Sequence, residues 1–182
     1  MPHDHPHSAG PGQLDPKDAR KITGRATTLS VAVALILVSA KLAAWLASGS
    51  VALLASLADS ALDLAASLTT FFAVRFAAEP ADNEHRFGHG KAEAFASFLQ
   101  ALFVALSAGL LLREAYQHII EPRPVMNGGW AIAVMVLSIV LTVALVWVQT
   151  RAVKQTGSVA VSGDRAHYVA DLASNIAVIA GI

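Results

Sequence analysis

Residues 51–76 carry the most informative stretch of the chain, VALLASLADSALDLAASLTTFFAVRF. A run of this length and apolarity predicts a helix that crosses the ~30 Å hydrocarbon core of a bilayer. It nevertheless places two aspartates, Asp59 and Asp63, four residues apart in its interior. Side chains at this spacing project from one face of a helix. Because an ionisable residue inside a membrane span is costly, the pair is interpreted first as functional.

A second polar pair, His167 and Asp171, has the same spacing in a later apolar run that begins near Val159. At 1.5 Å per residue, both pairs lie roughly 12 to 18 Å deep, counted from opposite faces of the membrane. The four side chains are therefore expected to meet near the midplane. Three carboxylates and one imidazole would form a tetrahedral site for a divalent metal, with zinc well suited to it. The alternative is that each polar group is satisfied locally or faces a water-filled groove.

The composition narrows the class of protein. The chain has 182 residues and is 55% hydrophobic, which is too apolar for an ordinary soluble domain. Its formal net charge is zero, so a nucleic-acid partner has no electrostatic support. The absence of cysteine excludes disulfides, thiolate metal sites and thiol catalysis. A metal site must then use His, Asp or Glu, which suit Zn, Fe, Mn, Co or Ni better than Cu(I).

The apolar segments predict an all-α, polytopic transmembrane helix bundle with five spans. They cover approximately residues 27–47, 51–76, 95–116, 130–148 and 159–182. Small polar residues along the second span favour close helix packing; they are Ser56, Ser60, Ser67, Thr69 and Thr70. The last span stops without a polar flank or interfacial anchor, which predicts that the chain is a fragment of a longer protein.

Residues 1–20 are predicted to form a disordered tail, and residues 21–182 the membrane domain. The tail has no apolar core of the kind that a secretory signal needs. Its alternating His3, His5 and His7 either bind metal loosely or are simply solvated. Lys and Arg are concentrated before the first span and in the loops after the second and fourth spans. This bias predicts that the N-terminus and those loops lie in the cytoplasm.

Two further polar features leave alternatives open. The loop after the second span carries Asp82, His85 and His89 within eight residues, which is either a second, partly exposed metal site or an ordinary solvated loop. Lys41 lies near the end of the first span. Its side chain is expected to extend toward the outer interface, and the alternative is pairing with a carboxylate.

The combined motifs resemble those of the cation diffusion facilitator family, and most closely its bacterial zinc and ferrous-iron efflux branch. The resemblance covers residues 21–182 and is carried by three motifs in order along the chain: ADSxxD at 58–63, FGHGKxE at 87–93 and HxxxD at 167–171. It implies a proton-coupled antiporter, not an enzyme, that exports divalent cations across the inner membrane by alternating access as a homodimer. Zinc is the expected substrate, with Fe(II), Cd or Mn as alternatives.

The resemblance also implies roles for individual residues. Asp59, Asp63, His167 and Asp171 match the transport site, with His167 as the ligand most suited to proton coupling because imidazole titrates near physiological pH. The loop site of Asp82, His85 and His89 matches a second zinc site. Lys91 matches a position in a charge interlock between subunits.

The family pattern normally includes a sixth span and a cytoplasmic α/β domain, and these 182 residues are expected to contain neither. A non-transporting metal-binding subunit, or an inactive fragment of a transporter, is therefore the alternative function. An intramembrane metalloprotease is disfavoured because no His-Glu-x-x-His motif is present and all four ligands are committed to the ion.

Overall fold

The computed structural model describes residues 14–49, 51–80, 86, 88–120 and 129–180. Within these ranges the regular secondary structure consists of five α-helices and includes no strand, which confirms the predicted all-α class. The helices are α1 (Pro16–Ser48), α2 (Val51–Ala77), α3 (Lys91–Ile120), α4 (Gly129–Thr156) and α5 (Val159–Ala180).

Local sequence signals explain where several of these helices begin and end. Asp15 caps α1 by accepting a hydrogen bond from the backbone N–H of Lys17 at 2.7 Å, and Pro16 occupies the first turn, where its missing N–H has no cost. Gly49 closes α1 in the left-handed region, at φ 63°. Gly157 does the same after α4, at φ 66°. Since glycine has no Cβ, it adopts this conformation without strain.

The five helices close into a ring. Each packs mainly on two neighbours, in the cyclic order α1, α4, α5, α3, α2, and α2 also contacts α5 across the interior. One buried apolar cluster takes at least one small or medium side chain from every helix: Ala26, Val74, Ala96, Ala152, Ala160 and Val161. Such side chains let helix backbones approach closely, which is how membrane helices gain packing energy.

Four of the helices, α1 to α4, are long and apolar enough to cross a membrane. The fifth, α5, is 22 residues long but includes Asp164, Arg165 and Asp171, which reduce its apolarity. Large apolar side chains point away from the ring, as expected for surfaces that face lipid; they include Leu35, Phe72, Phe98, Leu112, Val140 and Trp147.

Two predicted boundaries differ from the structure. The first helix begins at Pro16, inside the segment predicted as a tail, because Asp15 and Pro16 form a strong helix start; residues 1–13 lie outside the described residues. The fourth helix continues to Thr156, past residue 148 where the fourth span was predicted to end, so most of the loop predicted after that span is helical. Only Gly157 and Ser158 lie between α4 and α5, so Asp164 is inside a helix.

A close contact between α3 and α5 depends on Gly163. A Cβ atom there would lie 3.1 Å from Ser97 Oγ, 3.2 Å from Gln100 Cβ and 3.3 Å from Ser97 Cα. We expect Gly163→Leu to lower the free energy of unfolding by about 1–3 kcal/mol, the usual cost of overpacking. Gly109→Leu is the matched control, because no atom lies within 4 Å of a Cβ at that helical position. Thermal unfolding in detergent measures both, and equal stability of the two variants would contradict the packing described.

Candidate metal site between the second and fifth helices

A buried carboxylate–imidazole contact joins α2 to α5. Nε2 of His167 lies 2.9 Å from Oδ1 of Asp63, and both residues are buried, His167 to 1% exposure and Asp63 to 6%. The two residues are 104 positions apart in the chain, so the contact is purely tertiary. The contact shows that Asp63 and His167 lie at the same level of the helix bundle.

Asp171 completes a compact group of three. Its Oδ2 lies 3.5 Å from Nε2 of His167, one helical turn along α5. One ligand atom from each of Asp63, His167 and Asp171 lies within 4.8 Å of the others. Around a tetrahedral zinc with bonds of about 2.0–2.2 Å, ligand atoms are separated by about 3.4 Å. The group therefore requires only a small contraction to hold such an ion.

Asp59 occupies the turn of α2 that precedes Asp63. It is partly buried and lies outside the compact group of three, but its charge acts on Asp171 and on Lys41. The structure thus brings three of the four predicted ligands into contact range and places the fourth beside them.

The group of three borders a small cavity between α3 and α5. Its volume is about 60 Å³, and it is lined by Val104, Ser107, Ala108, Leu111, His167, Ala170 and Asp171. A cavity of this size is large enough to hold water. Oδ2 of Asp171 is buried and makes no hydrogen bond within the described part of the chain. A buried carboxylate oxygen without a donor is costly, and a cation would satisfy it.

Lys41 takes a different direction from the one expected. Its Nζ donates hydrogen bonds to the carbonyl oxygen of Ser56 at 3.1 Å and to Oγ of Ser60 at 2.5 Å. The expectation that it extends toward the outer interface is therefore wrong. Its ammonium turns inward because α2 offers these two oxygens, together with the negative charges of Asp59, Asp63 and Asp171.

A second buried polar cluster, which sequence reasoning did not identify, is centred on Asp164. This residue has 0% exposure and accepts hydrogen bonds from Gln149 Nε2 at 2.7 Å and from Gln100 Nε2 at 3.2 Å. Gln149 also donates to Ser30 Oγ, and Gln100 to Thr70 Oγ1. The cluster therefore ties α5 to each of the other four helices. The sequence signal for this cluster is weak, because Arg165 follows Asp164 directly and the preceding segment is polar.

Tyr168 on α5 contacts both α2 and the ring of His167. Its hydroxyl lies 2.8 Å from Oγ of Ser67 on α2, and either oxygen can donate. The ring stands edge-on to His167, with centroids 5.9 Å apart. Since Tyr168 is 1% exposed, it limits the positions that the His167 ring can take.

The predicted loop site is only partly visible. His89 is buried, and its ring lies 4.4 Å from that of Phe76 in an edge-to-face arrangement. Asp82 and His85 lie outside the described residues, so the loop site stays a prediction. Lys91 is exposed at the start of α3, and its predicted place in an interlock between subunits also stays a prediction.

Comparison with known proteins agrees with this architecture. A family model described as the cation efflux transmembrane domain matches residues 27–182. Two proteins named cation-efflux pump FieF are similar to this chain. That of Shewanella oneidensis is 48% identical over 154 residues, which are 85% of this chain and 52% of the relative. That of Yersinia enterocolitica is 41% identical over 166 residues, or 91% and 55%. The chain spans about half the length of these curated relatives.

The fold and the buried ligand cluster define a multi-pass helical membrane protein. The family match places its fold among cation efflux transmembrane domains. The chain belongs to the cation efflux, or cation diffusion facilitator, family, which confirms the resemblance predicted from its three motifs.

A hydrogen bond to the buried Asp164 can be tested by Gln149→Met, which keeps the side-chain length but removes the 2.7 Å donor. We expect a loss of about 1–3 kcal/mol in the free energy of unfolding, because a buried carboxylate loses a donor. Gln155→Met is the control, since Gln155 is exposed on the same helix.

The cost should shrink when Gln149→Met is made in an Asp164→Asn background, where no charge remains to be satisfied. Thermal unfolding of the four proteins gives the coupling between the two positions. An unchanged cost in that background would show that the hydrogen bond to the carboxylate is not what stabilises the bundle.

Proposed function

We propose that the protein exports divalent metal cations across the bacterial inner membrane in exchange for protons, with its N-terminus in the cytoplasm. Asp59, Asp63, His167 and Asp171 form the transport site, and alternating access of a homodimer moves the ion. Zinc is the leading substrate because carboxylate and imidazole ligands in tetrahedral arrangement suit it. Fe(II), Cd and Mn accept the same donor types.

One observation carries the proposal: ligand atoms of Asp63, His167 and Asp171 lie within 4.8 Å of one another, between two helices and away from bulk water. Two carboxylates so close in an apolar bundle repel each other and lose hydration. A divalent cation offsets both costs. The names of the similar proteins, which describe cation-efflux pumps, support the same cargo class.

The cavity beside the group supports movement of the ion as well as binding. Its lining includes both His167 and Asp171 on one side and Ser107 of α3 on the other. A cargo site must exchange its ion with water, so at least one side of it must open. A shift between α3 and α5 would widen this cavity at the ligands themselves.

Proton coupling follows from the ligand chemistry. Metal requires neutral imidazole and ionised carboxylates, so protons and metal compete for the same atoms. Lower pH therefore weakens metal binding, and higher pH favours loading. His167 is the ligand whose protonation changes most readily near physiological pH.

The transport site is tested by Asp63→Asn, which keeps the shape of the side chain but removes its charge. We expect zinc affinity of the purified protein to fall by at least about 100-fold, since even outer-shell partners of a metal contribute 10- to 100-fold. Asp18→Asn is the control, because that carboxylate is exposed in the first turn of α1 and pairs with Lys21 at the surface. Isothermal titration with zinc measures both, and wild-type affinity of the Asp63 variant would refute the assignment.

Proton coupling is tested in sealed vesicles that contain the purified protein. An imposed pH gradient should drive zinc movement against the proton flow, and reversing the gradient should reverse the direction. A zinc-sensitive dye in the vesicle lumen reports the flux. Zinc movement that ignores the gradient would exclude antiport while leaving the metal site itself intact.

A further inference from the structure

Lys41 is a partly buried cation beside the proposed metal site, and it is not one of the proposed ligands. The residue lies inside α1, which is otherwise apolar around it. Its ammonium donates to Ser56 and Ser60, and Ser60 lies between Asp59 and Asp63 on α2. These two hydrogen bonds hold the positive charge against the helix that supplies half of the proposed ligands.

The charges near Lys41 explain what its ammonium does. Asp59, Asp63 and Asp171 all act on it electrostatically, and Lys41 acts in turn on Asp171. With three ionised carboxylates and neutral His167, the site alone carries three negative charges. Lys41 reduces this to two, so that a bound divalent cation brings the total to zero. Without Lys41, the empty site would carry three negative charges in an apolar bundle, and it would attract a divalent cation more strongly.

We propose that Lys41 is a resident counter-cation that lowers the affinity of the transport site for its divalent cargo, so that the ion can leave. This inference rests on the proposed function, since it concerns the same site. A conducting or transporting site must bind its ion favourably enough to admit it and weakly enough to release it. A positive charge that already interacts with Asp59, Asp63 and Asp171 opposes the approach of a divalent ion to the same carboxylates. Lys41 is a positioning residue in this account, because it acts through the carboxylates and does not contact the ion.

The alternative role for Lys41 is structural. Its two hydrogen bonds could serve only to hold α1 against α2 where the chain turns at Gly49. The two roles predict opposite changes in zinc affinity when Lys41 is replaced. Loss of a structural contact would weaken metal binding or leave it unchanged, whereas loss of a repelling charge would strengthen it.

Three variants of the full chain separate charge from hydrogen bonding. Lys41→Met removes both the charge and the donors. Lys41→Gln removes the charge but keeps an amide donor for the oxygens of Ser56 and Ser60. Lys41→Arg keeps both and is the conservative control. Zinc affinity is measured by isothermal titration at pH 8, where competition from protons is weakest.

We expect zinc to bind Lys41→Met and Lys41→Gln at least about tenfold more tightly than the wild type, as removal of one nearby positive charge predicts. Lys41→Arg should bind with wild-type affinity. In vesicles, zinc transport by the two neutral variants should saturate at a lower zinc concentration than transport by the wild type. Its maximal rate should be lower, because zinc leaves the site more slowly. A structural role would not produce this combination.

Wild-type or weaker binding by both neutral variants would overturn the role of Lys41. So would tighter binding by Lys41→Met alone with wild-type binding by Lys41→Gln, because the hydrogen bonds would then be responsible. If the wild-type protein itself bound no zinc, while Asp63→Asn and the wild type behaved alike, the proposed transport site would fail instead. The two failures are therefore distinguishable.

Discussion

The structure depends on one constraint: carboxylates buried among apolar helices must find partners within the protein. The contact between His167 and Asp63, at 2.9 Å, satisfies this constraint across the interior of the ring. It requires α2 and α5 to meet at one depth, although 104 positions separate the two residues. Since a buried ionised group without a partner costs several kcal/mol, this contact restricts how the two helices can slide or rotate against each other.

The Asp164 cluster answers the same constraint in a different way. Both carboxylate oxygens of Asp164 accept hydrogen bonds, from the neutral amides of Gln100 and Gln149, whereas Oδ2 of Asp171 has no hydrogen-bond donor among the described residues. Hydrogen bonds to a buried carboxylate hold the helices around it in one arrangement, and a carboxylate oxygen without a donor is free to accept a cation. Asp164 and His167 lie one turn apart on α5. A rigid anchor and an exchangeable site therefore share one short helix, and the anchor sets the rotation at which His167 faces α2.

Much of this arrangement could be predicted from the sequence because membrane helices obey simple rules. The lengths of the apolar runs predict the helices. The four-residue spacing of Asp59 with Asp63, and of His167 with Asp171, predicts which faces of α2 and α5 are in contact. Depth counting works because the helical rise is constant. Asp164 was missed because its nearness to Arg165 and to the polar end of α4 resembled a loop, although only Gly157 and Ser158 lie outside the helices. The periodic pattern of polar and apolar residues does not indicate which helix a buried glutamine side chain will contact.

Lys41 was misjudged for a related reason. Near the end of a span, a lysine reaches water at little cost by extending its side chain, so its position alone favours the interface. What reverses this preference is tertiary: a backbone carbonyl and a hydroxyl on α2, backed by three carboxylates. When Lys41 points toward α2, its ammonium loses part of its hydration. This orientation is favourable only because the negative charges of the three carboxylates compensate for that loss. If the site binds a divalent cation as proposed, that cation would weaken the attraction that holds Lys41 against α2, because both charges interact with the same carboxylates. Occupancy of the proposed site would then be coupled to the packing of α1 against α2.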